Sequence, residues 1–117
     1  MKRMASLLFI LISVYLFSCI ALYFLQEKFI FFPPDPVNEV YQSVAKNEIE
    51  VTINNQQMHG WKIDVNSAKN KILFYFGGNA EDVVYLNFEA QKFSVKQCIT
   101  FNYAGYGESE GKPSQQK

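Results

Sequence analysis

The pattern of apolar and polar positions divides the chain into an apolar N-terminal stretch and a remainder with shorter periods. From Ala5 to Leu25 the sequence has no charged residue, and only three serines are strongly polar. At about 1.5 Å per residue, a helix of this length measures roughly 31 Å and matches a bilayer core of about 30 Å. The sequence therefore predicts a transmembrane helix within a first region, residues 1–28.

Three interpretations of this helix stay open. The apolar run is longer than the core of an ordinary signal peptide, so it fits a retained signal anchor in the lipid bilayer. A cleaved signal peptide is the second interpretation; Ala21 is small, but no A-x-A pattern accompanies it. Lipidation of Cys19 is the third, because Leu16-Phe-Ser-Cys19 loosely resembles a bacterial lipoprotein box. Lys2 and Arg3 precede the helix, which places the N-terminus in the cytoplasm and the C-terminal domain on the extracytoplasmic side.

An aromatic and proline-rich segment, residues 29–47, is predicted to be a linker. Phe29-Ile-Phe-Phe32 is typical of the aromatic belt at a membrane interface. Pro33-Pro-Asp-Pro36 ends the helix and forms a stiff spacer that leads the chain away from the membrane.

From Glu48 onward the apolar period changes to two. Glu48–Ile53 alternates polar and apolar residues, as a half-buried strand does. Asn54-Asn-Gln-Gln57 supplies a turn, and the chain returns from Met58 with its large apolar residues on one face: Trp61, Ile63 and Val65. This pattern predicts an antiparallel hairpin.

A strand, a helix and a second strand are predicted next. Ile72–Phe76 is apolar on both faces, which is typical of a central strand in a parallel sheet with helices on each side. A helix over residues 80–93 follows, with Asn79 as its N-cap and an apolar stripe of Val83, Leu86, Ala90 and Phe93. Cys98–Tyr103 is the second buried strand. The predicted fold class is therefore α/β, with an antiparallel hairpin and one right-handed βαβ unit after the transmembrane helix.

Charge and composition exclude several functions. With 11 basic and 11 acidic residues, the chain has no basic face for nucleic acid. Cys19 lies in the apolar helix and Cys98 in a strand, so the two cysteines do not form a disulfide framework. Because the chain has one histidine and no clustered cysteines, neither a metal site nor a cofactor is predicted.

Two glycine-containing turns carry a resemblance to a known fold. Phe76-Gly-Gly-Asn-Ala80 follows the first predicted buried strand, and Asn102-Tyr-Ala-Gly-Tyr-Gly-Glu-Ser-Glu-Gly-Lys-Pro-Ser114 follows the second. In this order and at this separation they resemble the α/β-hydrolase fold and, within it, the membrane-anchored BEM46-like serine hydrolases. That family usually has histidine where Gly77 stands and arginine where Ala104 stands. Without the arginine, the forked hydrogen bonds that could hold the second loop are lost.

The resemblance implies an oxyanion hole at the first turn. The backbone N–H of Asn79 would be one donor, and Gly77 and Gly78 would allow close approach of a substrate. The alternative is that Gly-Gly-Asn serves only as a helix-capping turn. Since the donor would be a backbone group, Asn79→Ala is expected to preserve it, and a bulky residue at Gly78 to harm it more.

The segment Gly107-Glu-Ser-Glu-Gly111 matches the G-x-S-x-G pattern of a nucleophile elbow but lacks its setting. That elbow needs a strand directly before it and a helix directly after it. Here Ala104-Gly-Tyr106 intervenes after the strand. Ser109 is therefore interpreted as an exposed loop serine, and His59 as a strand-face histidine with no partner. No catalytic serine–histidine–acid set is predicted.

The sequence thus predicts that residues 48–117 are the N-terminal portion of a truncated, membrane-anchored α/β-hydrolase, inactive alone. The intact relative would cleave ester, thioester or amide bonds. In the complete fold the third strand lies between the fourth and the fifth, so Ile72–Phe76 is expected to be an open edge where a second chain completes the sheet. The alternative function is that of a small single-pass membrane protein acting as a non-catalytic binding module.

Overall fold

The computed structural model describes residues 2–114, which fall into two compact units that divide after Ile30. The first unit is helix α1, Lys2–Ile30, which extends beyond the predicted apolar run at both ends. It is long and apolar enough to cross a membrane, a property that a signal sequence near the N-terminus shares. The predicted helix is confirmed, and its orientation stays a prediction. Residues 115–117, with which the predicted hydrolase region ends, lie outside the described residues.

The second unit is a mixed four-stranded sheet with short helices. Its strands follow the order β1-β2-β4-β3, with β3 and β4 parallel and the other two pairings antiparallel. Short 3₁₀ turns follow α2 and flank α3. The elements in chain order are α2 Asn38–Val44, β1 Glu48–Ile53, β2 Gln56–Asp64, β3 Ile72–Tyr75, α3 Leu86–Glu89 and β4 Gln97–Phe101.

The hairpin of β1 and β2 confirms the prediction. Its turn consists of Asn54 and Asn55, whose φ angles are 50° and 61°. Two successive positive φ angles are those of a type I′ turn, which asparagine tolerates and which matches the twist of the flanking strands. The turn is shorter than predicted, because β2 already begins at Gln56.

The core lies on one face of the sheet, beneath α2 and the crossover between β3 and β4. Alternate side chains of a strand face opposite sides of a sheet, so one face takes the buried residues. Tyr41 of α2 packs edge-on against Trp61, with ring centroids 5.3 Å apart. No period in the sequence indicates α2, which lies inside the predicted linker. The core residues are Tyr41, Val44, Trp61, Ile63, Val65, Val83, Val84, Leu86, Ala90 and Cys98.

The predicted helix over residues 80–93 is wrong. The crossover instead contains α3, one helical turn, between the 3₁₀ turns Val83–Tyr85 and Ala90–Lys92. Asp82, rather than Asn79, is the N-cap, because its backbone is extended and its side chain accepts a hydrogen bond from the Val84 N–H. A helix cannot continue through an extended residue. The apolar stripe nevertheless reaches the core, except that Phe93 is 37% exposed.

The position of β3 differs from the central one that its apolar pattern predicts. Within the described residues β3 is an outer strand of the sheet, paired with β4 alone. Ile72 and Phe74 are 55% and 62% exposed, so one face of the strand is uncovered. The expectation of an open edge at Ile72–Phe76 agrees with this arrangement.

Candidate functional site

The two turns that carry the resemblance meet at one edge of the sheet. Because β3 and β4 are parallel, the segments that follow them leave from the same side. The hydroxyl of Tyr103 donates to the Gly77 carbonyl at 3.0 Å. The buried hydroxyl of Tyr106 donates to the Asn79 carbonyl at 2.5 Å and lies 3.0 Å from its Oδ1. Two tyrosines of the second turn thus hold the first one.

The first turn already holds an anionic group. The Gly78 N–H donates to Oε2 of Glu81 at 2.7 Å, and the Glu81 N–H donates back to the Gly78 carbonyl at 3.2 Å. The other carboxylate oxygen, Oε1, accepts from the Tyr75 hydroxyl at 2.8 Å. This bond with Glu81 raises the pKa of Tyr75 above its ordinary value. The turn can therefore present a backbone donor to a negatively charged oxygen.

The two glycines of this turn differ in what surrounds them. A Cβ on Gly77 would lie 2.6 Å from Cγ1 of the buried Val83, so packing requires glycine there. A Cβ on Gly78 would have Glu81 Oε2 as its nearest neighbour, at 3.5 Å, an ordinary contact. Packing alone does not require glycine at position 78. Asn79 contributes a carbonyl and an amide oxygen to Tyr106, and its predicted role as an oxyanion donor stays a prediction.

A buried polar network lies beneath the two turns. The Tyr41 hydroxyl donates to Asp82 Oδ2 at 2.7 Å, and Asn102 Nδ2 lies 2.8 Å from Asp82 Oδ1 and 3.1 Å from the Tyr41 oxygen. Asn102 Oδ1 accepts from the Val83 N–H at 3.1 Å. Burial, with Asp82 beside it, raises the pKa of Tyr41 far above its ordinary value, so the hydroxyl stays a donor. The network joins α2, the crossover and the end of β4. The sequence indicates this network only through polar residues at the borders of apolar runs.

Ser109 lies in a loop, as predicted, but the predicted exposure is wrong, because it is only 6% exposed. Its Oγ accepts from the His59 N–H at 2.9 Å and donates to the Asn102 carbonyl at 3.3 Å. Both partners are main-chain groups, so this serine fastens the loop to β2 and to the end of β4. Gly107, with a φ of 55°, lets the loop lie directly against Tyr41. A Cβ at this position would lie 2.0 Å from the Tyr41 hydroxyl.

The interpretation of His59 as a histidine without a partner is wrong. Its Nδ1 lies 2.6 Å from Glu48 Oε1, 3.8 Å from Glu108 Oε2 and 4.0 Å from Glu50 Oε1. The ligand atoms of Glu48, Glu50 and His59 all lie within 4.8 Å of one another, and their types are ones that divalent cations use. The hairpin register, which pairs Glu50 with His59, is the signal in the sequence that could have located this cluster.

Compared with known protein families and with curated proteins, the chain matches none. The resemblance to the hydrolase fold therefore depends on the sequence of the two turns and stays a prediction.

Proposed function

We propose that this chain is the membrane-anchored N-terminal part of an α/β-hydrolase, and that it supplies the oxyanion turn for cleavage of an ester, thioester or amide bond. The observation that carries the proposal is the junction of the two turns at the carboxyl ends of β3 and β4, through Tyr103 and Tyr106. In open α/β sheets, ligands bind outside the carboxyl ends of the strands.

The order of the strands supports the proposal. β3 lies beside β4 and leaves its other side open, where the complete fold would place a further strand. The carboxylate on the Gly78 N–H supports it as well, because a tetrahedral oxyanion needs the same kind of donor. In this proposal the substrate oxyanion replaces the Glu81 carboxylate at the turn.

The nucleophile would come from outside the described residues. Within residues 2–114, the hydroxyl of Ser109 bonds main-chain groups, and the Nδ1 of His59 faces the carboxylates of the hairpin. Neither arrangement activates a serine, which needs a base within hydrogen-bond reach of its hydroxyl.

A fluorophosphonate probe tests the catalytic part of the proposal. The full chain in detergent is expected to stay unlabelled, next to an active serine hydrolase as positive control. Specific labelling that disappears in Ser109→Ala would overturn the proposal, because the chain would then carry its own nucleophile.

Anion binding tests the turn itself. A chain labelled with ¹⁵N at its 6 glycines gives a small set of amide signals. In Glu81→Ala, which vacates the turn, methylphosphonate is expected to shift the Gly78 signal and to leave that of Gly60, in β2, unchanged. Equal shifts at the two glycines, or none at Gly78, would contradict an oxyanion role.

The second candidate function, a non-catalytic binding module, is favoured by one observation, the exposed outer edge of β3.

A further inference from the structure

The outer edge of β3 presents main-chain groups that suit another strand. The carbonyl of Lys71 accepts from the Lys96 N–H at 2.7 Å, and that of Tyr75 accepts from Thr100 Oγ1 at 2.8 Å. Both carbonyls therefore point towards β4. Because successive carbonyls of a strand point to opposite sides, the main-chain groups of Ile72 and Phe74 point away from the sheet. Such a row of donors and acceptors is a template for strand pairing.

The side chains of this edge are apolar and uncharged. Ile72, Phe74 and Phe76 are 55%, 62% and 75% exposed; Ile72 and Phe74 lie on one face of β3, and Phe76 directly follows the strand. No charged residue occurs between Lys71 and Glu81. Charge and proline are the usual means by which proteins protect an edge strand, and β3 contains neither.

The charges at the two ends of β3 indicate which partner strand, in which direction, fits this edge. Lys69 and Lys71 precede the strand, and the carboxylate of Glu81 lies at the turn that follows it. A parallel pair of two such strands would bring the lysines of both together. An antiparallel pair places the lysines of each strand beside the acidic turn of the other, twice by symmetry. The complementarity therefore matches a second copy of the same chain.

We propose that two copies of this chain associate through β3, antiparallel about a two-fold axis at Phe74. Residues opposite each other in an antiparallel pair lie on the same face of the sheet. Phe74 then faces Phe74 of the second copy, Ile72 faces Phe76, and Lys71 reaches the Gly77–Gly78 turn. The interface is isologous and joins the two sheets into one.

This association does not depend on the proposed hydrolase function. A further hydrolase strand would occupy the same edge, so the dimer is proposed for the chain whose β3 edge is open; the probe experiment on Ser109 is unaffected by the oligomeric state. Loss of one proposal therefore leaves the other standing.

Crosslinking of an introduced cysteine tests the pairing in the full chain, reconstituted in lipid with Cys19→Ser to remove the cysteine of α1; Cys98 is buried and stays in every variant. Phe74→Cys is compared with Ile53→Cys on the opposite outer strand, whose exposure of 54% is similar. A short bismaleimide is expected to link Phe74→Cys chains roughly tenfold faster, because strand pairing brings the two thiols close together. Equal rates would overturn the proposal. Association through α1 would act on both variants alike.

The direction of pairing has its own test. A mixture of Ile72→Cys and Phe76→Cys chains is expected to crosslink faster than either chain alone. Faster linkage within Ile72→Cys chains would indicate parallel strands and would contradict the proposal.

A charge at the axis tests the interface without crosslinking. Phe74→Lys is expected to convert the dimer to a monomer in analytical ultracentrifugation, whereas Ile53→Lys is expected to leave it intact. The near-UV circular dichroism of Trp61, which is buried, checks that each variant is folded. If Phe74→Lys loses that signal, Lys71→Glu is measured instead. Its carboxylate would repel Glu81 of the second copy. A wild-type chain that sediments as a folded monomer would overturn the proposal.

Discussion

The two outer strands of the sheet, β1 and β3, differ in how their exposed edges are protected against pairing with another strand. Both expose apolar side chains, with Ile53 of β1 at 54% and Phe74 of β3 at 62%. β1 also carries Glu48 and Glu50, whereas β3 has no charged residue. Charged side chains protect an edge strand from pairing, so β1 has this protection and β3 lacks it.

The polar groups of β1 find partners within the hairpin. Glu48 lies 2.6 Å from the His59 imidazole, and Glu50 accepts a hydrogen bond from the side chain of Gln57. At β3, Leu73 and Tyr75 pack against the core, whereas Ile72 and Phe74 on the other face are exposed and have no such contacts. Because the charged groups of β1 already have partners, this edge needs no second strand. The comparison leads to predictions about the β1 side and the β3 side of the sheet.

The largest expected effect is a difference in stability loss between glycine substitutions in two regions, the loop that packs on β2 and the turn that follows β3. In Gly107→Ala the new Cβ would overlap the Tyr41 hydroxyl and would occupy a positive φ. We expect the free energy of unfolding to fall by about 3 kcal/mol, from overpacking and backbone strain together. Urea unfolding in mild detergent, followed by Trp61 fluorescence, measures it. Gly78→Ala is the matched control and should change it by no more than about 0.5 kcal/mol. Equal losses would show that the two regions are equally rigid.

The next prediction concerns the buried network that joins α2, the crossover and the end of β4. Asn102→Ala removes one donor from Asp82 and leaves the Val83 N–H without its acceptor. Each buried unsatisfied group costs about 1–3 kcal/mol, so we expect a loss of about 2 kcal/mol in the same unfolding experiment. The exposed Asn70→Ala is the control. A loss below about 0.5 kcal/mol would mean that water satisfies the network.

The hairpin could be predicted because each of its features is local. Alternation from Glu48 to Ile53 indicates the strand, although Val51 and Ile53 are exposed, and two asparagines adopt the positive φ angles of the turn. The neighbours of β3 could not be predicted from its composition. An apolar run such as Ile72–Phe76 fits a covered central strand and an edge that awaits a partner equally well, since both bury the same side chains once the assembly is complete.

The candidate site shows the same limit. Two parallel strands suffice to predict that the turns after them lie together. The contact of Glu81 with the Gly78 N–H and the burial of Ser109 depend on side-chain directions that no period encodes. The crossover failed as a predicted helix for a related reason. Its apolar stripe is right, but hydrogen bonds to Asp82 and Asn102 decide the backbone.

Alkaline pH gives a third test, with a smaller expected effect. Burial raises the pKa of Tyr41 in the folded state, whereas in the unfolded chain it is about 10. Above about pH 10 the unfolded state therefore binds fewer protons, and stability falls as pH rises. Tyr41→Phe should flatten this slope, while costing about 1 kcal/mol at neutral pH through the lost bond to Asp82. Tyr85→Phe is the control, at a tyrosine that is 48% exposed. An unchanged slope in Tyr41→Phe would contradict the role of its burial.

The smallest effect addresses the charge difference between the edges directly. Glu48→Gln with Glu50→Gln removes the charges of β1 and preserves side-chain size. The Glu48–His59 contact is partly buried, but glutamine keeps a side-chain oxygen that can accept from the imidazole, so we expect a stability change of no more than about 1 kcal/mol. If charge is what keeps β1 unpaired, the same two substitutions should raise the crosslinking of Ile53→Cys chains towards that of Phe74→Cys chains. If the rate stays low, the shape of β1 rather than its charge keeps a second strand away, and the contrast between the two edges has another cause.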